Sequence, residues 1–85
     1  MIIGKVVGNI WATRKEEGLT GFKLLTVQPL DVEGNTINVN TIVAVDRIGA
    51  GIGDKVLVTT GAPASFIDQK RLPVDALIVG IIDQN

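Results

Sequence analysis

The side chains that could exchange protons in this chain are mainly carboxylates, because the sequence has no histidine. Two carboxylates held together in a dry pocket can act as a general acid and base. The candidate aspartates each stand at the end of a predicted strand or at the start of a turn, where aspartate accepts hydrogen bonds from nearby backbone N–H groups. They are Asp46, Asp54, Asp75 and Asp83. No spacing brings two of them together, so the sequence favours a turn or interface role over catalysis.

Residues suited to nucleophilic catalysis or to metal binding are equally scarce. Ser65 is the only serine, and there is no histidine to activate its hydroxyl. The absence of cysteine excludes disulfides and thiolate metal ligands. We therefore expect no catalytic residue, no metal site and no cofactor, and we expect that the chain is not an enzyme.

Alternate glycines form the third pattern that could mark a site. Gly49, Gly51 and Gly53 suggest a dinucleotide-binding turn, but that fingerprint needs a third glycine where Asp54 stands and a helix after it. The residues that follow have the composition of a strand. Without a helix N-terminus there is no row of free N–H groups to hold a pyrophosphate. The run therefore predicts a tight bend between two strands.

Length and composition limit the elements that could position any site. The 85 residues allow a single domain over positions 1–85, and 46% of them are apolar. So small a domain cannot hide that many branched side chains by itself, which favours burial at a subunit interface. The net charge of −1 gives no electrostatic footprint for nucleic acid or an anionic membrane, and no segment is apolar over the length of a membrane span. These features predict a soluble, cytoplasmic protein.

Strand signals dominate the chain, because Val and Ile recur throughout it and fit pleated sheets better than helices. The predicted strands cover 1–13, with a bend or bulge at Gly4 and Gly8, and then 22–30, 39–48, 54–60 and 74–83. One short helical turn is expected within 62–69. Five strands joined by short turns predict an all-β fold, a small closed or partly closed antiparallel barrel.

The last strand lacks the alternation of apolar and polar residues that one wet face would require. We therefore expect both of its faces to be covered, the second one by a neighbouring subunit. The residues predicted for this interface are Leu77, Ile78, Val79, Ile81 and Ile82. Trp11, among apolar neighbours, is interpreted as a core or interface anchor rather than a base-stacking surface.

Four segments together resemble one known family. They are GKVVGNIWATRK from Gly4, KLLTV from Lys23, VAVDRIGAGIGDKVLV from Val43 and PVDALIVGIID from Pro73. In this order they closely resemble the pentameric vertex proteins of bacterial microcompartments, which occur in carboxysomes and in ethanolamine-utilising organelles. One departure is Gly61–Ser65, where that family usually has a small-residue run followed by an arginine that is missing here.

The resemblance implies a five-stranded OB-like barrel, assembled as a homo-pentamer around a narrow central opening. It implies a structural shell protein that caps the vertices of a microcompartment, with hexameric shell proteins as neighbours and with no nucleic acid or membrane as partner. Glycine permits close backbone approach, so the bend is expected to contact a neighbouring subunit or the central axis. The residues of this bend are Gly49, Ala50, Gly51, Ile52 and Gly53.

Two alternatives stay open from the sequence. Small barrels can be binding modules for nucleic acid or a peptide, although the aromatic residues here are few and Glu16 and Glu17 offset the nearby basic side chains. An enzyme with an active site shared between chains would need carboxylates from two subunits to converge, and Asp46 or Asp54 would be the candidates.

Overall fold

The computed structural model describes residues 1–12 and 15–83, and they are almost entirely in strands, turns and loops. The strands are β1 (Ile2–Ile10), β2 (Lys23–Leu30), β3 (Ile42–Asp46), β4 (Lys55–Thr60), β5 (Phe66–Ile67), β6 (Lys70–Arg71) and β7 (Ala76–Ile82). Two single 3₁₀ turns cover Glu17–Leu19 and Ala62–Ser65. The all-β prediction is confirmed, and the predicted helical turn begins where Pro63 favours it.

Five strands close into a barrel in the order β1-β2-β3-β7-β4. The sequence predicts antiparallel neighbours only, and this is wrong at one seam: β3 and β7 run parallel, with Val45 beside Leu77. Parallel neighbours need a long crossover connection. The chain supplies one between positions 47 and 75, which contains β4 and returns β7 to the same end of the barrel as β3.

The predicted strand boundaries are too generous, and one small ladder is missed. β1 ends at Ile10 rather than at position 13, and β3 spans five residues rather than ten. After the 3₁₀ turn at Ala62–Ser65, β5 and β6 pair across Asp68 and Gln69, which have φ angles of 51° and 64°. This turn lacks the glycine or asparagine that would have revealed it in the sequence.

The two glycines of β1 have different roles. The register of β1 against β2 shifts between Val6 and Gly8, so the predicted bulge lies there. Gly4 keeps a regular register with Pro29 and is buried instead. A Cβ at Gly4 would overlap Cγ1 of Val27. Gly4 thus allows β1 and β2 to pack closely inside the barrel.

The barrel has an interior core and a second core on its outer wall. The interior core consists of buried aliphatic residues from all five barrel strands and from the loop between β3 and β4: Val6, Leu25, Val27, Ala44, Ala50, Val56, Val58, Ala76 and Ile78. The second core lies where the 62–67 segment packs over β3 and β7, and it consists of Val45, Ala64, Ile67 and Leu77. Part of the outer face of the barrel is therefore covered by the same chain.

Candidate functional site

The glycine loop, residues 47–54, joins β3 to β4, which are not neighbours in the barrel. The predicted tight bend is thus a connection that passes over one end of the barrel. Gly49 and Gly53 have φ angles of 93° and 95°, which side chains other than glycine disfavour. The backbone N–H of Gly53 donates to the carbonyl of Val6 at 2.8 Å, and the N–H of Val6 donates to the carbonyl of Asp54 at 2.9 Å. These bonds fasten the end of the loop to β1.

The carboxylate of Asp46 holds the first half of the glycine loop. It is buried, and its two oxygens accept hydrogen bonds from the backbone N–H groups of Ile48 at 3.1 Å and Ala50 at 2.9 Å. The Nζ atom of Lys23 lies 3.6 Å from the same carboxylate and donates to the carbonyl of Ala50 at 2.7 Å. The predicted turn role of Asp46 is confirmed, because its carboxylate accepts hydrogen bonds from the backbone of the loop that it precedes.

The other candidates for catalysis are also occupied or dispersed. Asp54 accepts a hydrogen bond from the N–H of Gly51 at 2.8 Å, and the hydroxyl of Ser65 donates to the carbonyl of Ala62 at 2.6 Å. Asp75 and Asp83 are exposed at opposite ends of β7. Within residues 1–12 and 15–83, no three His, Cys, Asp or Glu side chains are grouped so that they could hold a metal ion.

The predicted contact loop divides into an inward and an outward part. Ala50 is fully buried in the interior core, so its side chain closes the barrel end of its own subunit and is not available to a neighbour. The side chain of Ala50 is therefore not the contacting group, and a contact through its backbone stays a prediction. Ile52 is 65% exposed and forms the apolar tip of the loop, next to the exposed Gly53. The predicted contact role stays a prediction for Gly49, Gly51, Ile52 and Gly53.

The predicted interface strand divides in the same way. Ile78 belongs to the interior core and Leu77 to the outer core, so the chain itself covers both faces of β7 at this point. The 62–67 segment covers Leu77 and the barrel interior surrounds Ile78, so neither side chain needs a neighbour to bury it, and their interface role stays a prediction. Val79 and Ile81 are 44% and 42% exposed, and Ile82 is half-buried. For these three the interface role remains a prediction.

Exposed apolar residues at the end of β1 are predicted from the sequence only in part: Trp11 is interpreted as a core or interface anchor, whereas Val7 and Ile10 are missed. Val7 and Ile10 are about half exposed, and Trp11 is 90% exposed. The core interpretation of Trp11 is therefore wrong, and the anchor interpretation remains. Ile10 and Trp11 line a pocket of about 240 Å³ with Phe22 and Leu24. The only signal in the sequence is that an apolar run continues past the glycine bulge into a tryptophan.

The fold and the residues above match one protein family. Residues 1–83 match the model of the family described as "Ethanolamine utilisation protein EutN/carboxysome". The chain belongs to this EutN/CcmL family. The resemblance seen in the four sequence segments is thereby confirmed over nearly the whole chain.

Relatives in the EutN/CcmL family are similar over nearly the whole of this chain and over more than four fifths of their own length. The carboxysome shell vertex protein CcmL of Nostoc sp. is 39% identical over 84 residues, which are 98% of this chain and 83% of that protein. The microcompartment shell vertex protein EutN of Salmonella typhimurium is 39% identical over 85 residues, 99% of this chain and 85% of that one. Among solved structures, the GrpN pentameric microcompartment shell protein from Rhodospirillum rubrum superposes with a TM-score of 0.86 at 39% identity, covering 99% of this chain and 94% of that chain.

Among the residues that the structure describes, no helix is long and apolar enough to span a bilayer.

Proposed function

We propose that this protein is a structural shell protein that caps the vertices of a bacterial microcompartment as a cyclic homo-pentamer. Its relatives are named as shell vertex proteins, and a structure with which it superposes is named as a pentameric shell protein. Its role is geometric rather than catalytic, since the carboxylates of Asp46 and Asp54 are used to hold a loop. Hexameric shell proteins are its neighbours in the shell.

Geometry explains why a pentamer is needed. A layer of hexagonally packed units is flat and cannot close into a container. A five-fold unit at each corner introduces the curvature that closure requires. A cyclic ring of identical subunits uses a heterologous interface, in which one surface of each subunit meets a different surface of the next. Each subunit must therefore have two separate interaction surfaces.

The observation that carries the proposal is that exposed apolar side chains lie on two different strands. The β1 surface consists of Val7, Ile10 and Trp11, and the β7 surface consists of Val79 and Ile81. Exposed aliphatic groups around an exposed tryptophan are typical of protein interfaces, because aromatic anchors contribute most of the binding energy there.

Both surfaces also lie on strand segments with one open edge. The ladder between β1 and β4 ends at Lys5, so Gly8–Ile10 pairs with β2 alone among the described strands, and Val7 stands at the bulge. β3 ends at Asp46, one residue past its pairing with β7, so Gly80–Ile82 pairs with β4 alone in the part of the chain that the structure describes, and Val79 stands at a shift in register. Open edges bearing apolar side chains favour pairing with another chain. We propose that the β1 surface of one subunit packs on the β7 surface of the next.

The test is the mass of the assembly in solution. Native mass spectrometry is expected to give about five times the 9.0 kDa mass of the chain. The variant Trp11→Ser is expected to shift the population toward monomer, because it removes the aromatic anchor. Val32→Ser is the matched control, since Val32 is 89% exposed but lies in the loop between β2 and β3. A stable monomer of the unmodified chain at micromolar concentration would overturn the proposal.

A binding module for nucleic acid remains the second candidate, because one observation favours it. Trp11 is exposed, and Lys15 and Lys23 line the same pocket, which is the combination used to stack bases beside a phosphate chain. Against it, the Lys23 ammonium is already held by Ala50 and Asp46. Quenching of Trp11 fluorescence by a single-stranded oligonucleotide, weakening steeply with salt, would support this candidate. Unchanged fluorescence at low salt would exclude it.

A further inference from the structure

Two lysines stand directly opposite each other on the outer wall of the barrel. Lys5 of β1 and Lys55 of β4 are register partners in an antiparallel ladder. Side chains at such positions share a face and begin about 5 Å apart. Like charges placed directly opposite destabilise a sheet. Neither ammonium has a hydrogen-bond or ion-pair partner within the part of the chain that the structure describes. Neither lysine is therefore paired directly with a counter-charge in that part of the chain.

The two lysines open into a polar cleft rather than onto a flat surface. The cleft has a volume of about 420 Å³, and its other walls include Gly34, Thr36 and Gly53. Gly34 brings the backbone close to the Lys55 ammonium: a Cβ at Gly34 would lie 3.4 Å from that nitrogen. The hydroxyl of Thr36 is exposed and provides a third donor on the same side. The cleft thus gathers hydrogen-bond donors around an open space.

The wall facing the lysines is a well-ordered turn, residues 31–35. One oxygen of the Asp31 carboxylate accepts from the N–H groups of Glu33 and Asn35, each at 2.9 Å. The backbone of Asp31 also donates to the carbonyl of Asn35 and accepts from the N–H of Gly34. These bonds fix the shape of the cleft, which lowers the entropy lost when a ligand binds.

We propose that Lys5 and Lys55 form a binding site for a doubly charged oxyanion, the chemistry shared by inorganic phosphate and by phosphate esters. Two ammonium groups and one hydroxyl match an acceptor with several oxygens and two negative charges. Glu33 also lines the cleft, so its charged side chains sum to one positive charge. Binding of a dianion therefore removes the repulsion between the two lysines. The site does not depend on the proposed pentamer.

The test is calorimetric titration of the full chain with inorganic phosphate, at an ionic strength held constant with chloride. Saturable binding with one site per chain is expected. Lys5→Gln and Lys55→Gln are each expected to weaken it at least about tenfold, the effect of losing one charge-assisted hydrogen bond. Lys70→Gln is the matched control, because Lys70 is exposed on β6 and does not line the cleft. A second titration with glycerol 3-phosphate distinguishes a site for phosphate esters from one for the free ion.

Two further variants test the proposal through phosphate affinity and thermal stability. Glu33→Gln removes the one negative charge of the cleft while leaving the backbone bonds of the turn intact, so phosphate should bind more tightly. Lys55→Gln should raise the midpoint of thermal unfolding in low salt without phosphate, and should abolish the further rise that phosphate gives the unmodified chain. The proposal is overturned if no saturable heat appears, or if Lys70→Gln weakens binding as much as Lys5→Gln. Native mass spectrometry of the same samples tests the pentamer separately from the phosphate site. A monomer that binds phosphate would refute the pentamer and leave the phosphate site supported.

Discussion

At the scale of single residues, buried or crowded positions are important for the stability of this small protein. Asp46 and Gly4 illustrate this in opposite ways. Asp46 is a charged side chain in a buried place, where two N–H groups and a lysine satisfy it. Gly4 has no side chain, and this allows β1 and β2 to approach each other closely. Each can be tested by one substitution.

Asp46→Ala is expected to lower the free energy of unfolding by about 2–3 kcal/mol, because it leaves the N–H groups of Ile48 and Ala50 without acceptors at a buried site. Urea denaturation gives the measurement. Asp83→Ala is the control, because Asp83 is exposed and should change stability by less than about 0.5 kcal/mol. Equal effects of the two substitutions would show that the carboxylate of Asp46 does not hold the glycine loop.

Gly4→Ala is expected to cost about 1–3 kcal/mol, the usual effect of an extra methyl group in a packed core. The added carbon would overlap Val27, and the adjacent backbone of Gln28 leaves little room for it to shift. Gly8→Ala is the matched control on the same strand. Its Cβ would lie 3.7 Å from Oγ1 of Thr26, an ordinary contact. If both glycine substitutions leave the denaturation midpoint unchanged, the close packing of β1 on β2 is refuted.

At the scale of elements, the segment between β4 and β7 does more than connect them. It contains a 3₁₀ turn and the β5–β6 ladder, and it brings Ala64 and Ile67 onto the outer face of β7. A contact from Arg47 to Asp68 at 2.7 Å ties the tip of this ladder to the end of β3. The segment therefore covers the parallel seam of the barrel.

Gln69→Gly is expected to stabilise this element by about 0.5–1 kcal/mol, since Gln69 has a φ of 64° that glycine adopts without a steric cost. Gly53→Ala should have the opposite effect of about 1 kcal/mol, because φ at Gly53 is 95°. Chemical denaturation of both variants provides the comparison. A loss of stability in Gln69→Gly would contradict the steric cost that is expected for the positive φ of Gln69 in the turn between β5 and β6.

At the scale of the whole molecule, apolar surface is left over after the chain has folded. The interior and outer cores use Leu77, Ile78 and Ala50, which the sequence had suggested for contacts between subunits. Part of the surplus lies instead on the β1 surface, on the β7 surface and at Ile52. An assembly that joins these surfaces gives the excess of aliphatic residues a place to be buried.

The double variant Val79→Asp with Ile81→Asp is expected to abolish the pentamer, because two carboxylates would be desolvated in the interface. Far-ultraviolet circular dichroism should still report a folded barrel, since both side chains are exposed in the subunit. Val32→Asp should leave the assembly mass unchanged. A pentamer that survives the double variant would place the interface elsewhere.

The class of fold, the number of barrel strands, the turn role of Asp46 and the family can all be predicted from the sequence. These features are local: they depend on the composition of short segments, on turn residues and on motifs read in order. The departure at Gly61–Ser65 did not affect them, because that segment lies outside the barrel strands.

The neighbours of each strand, in contrast, are known only from the three-dimensional packing of the chain. This packing made β3 and β7 parallel, put Ala50 inside the barrel, covered Leu77 with the 62–67 segment, and set Lys5 opposite Lys55. Residues 50 positions apart in the chain meet only through the register of a ladder, and no local pattern encodes that register. The lack of alternation in a strand shows that both faces need cover. Whether the same chain or another one provides that cover depends on where distant segments pack.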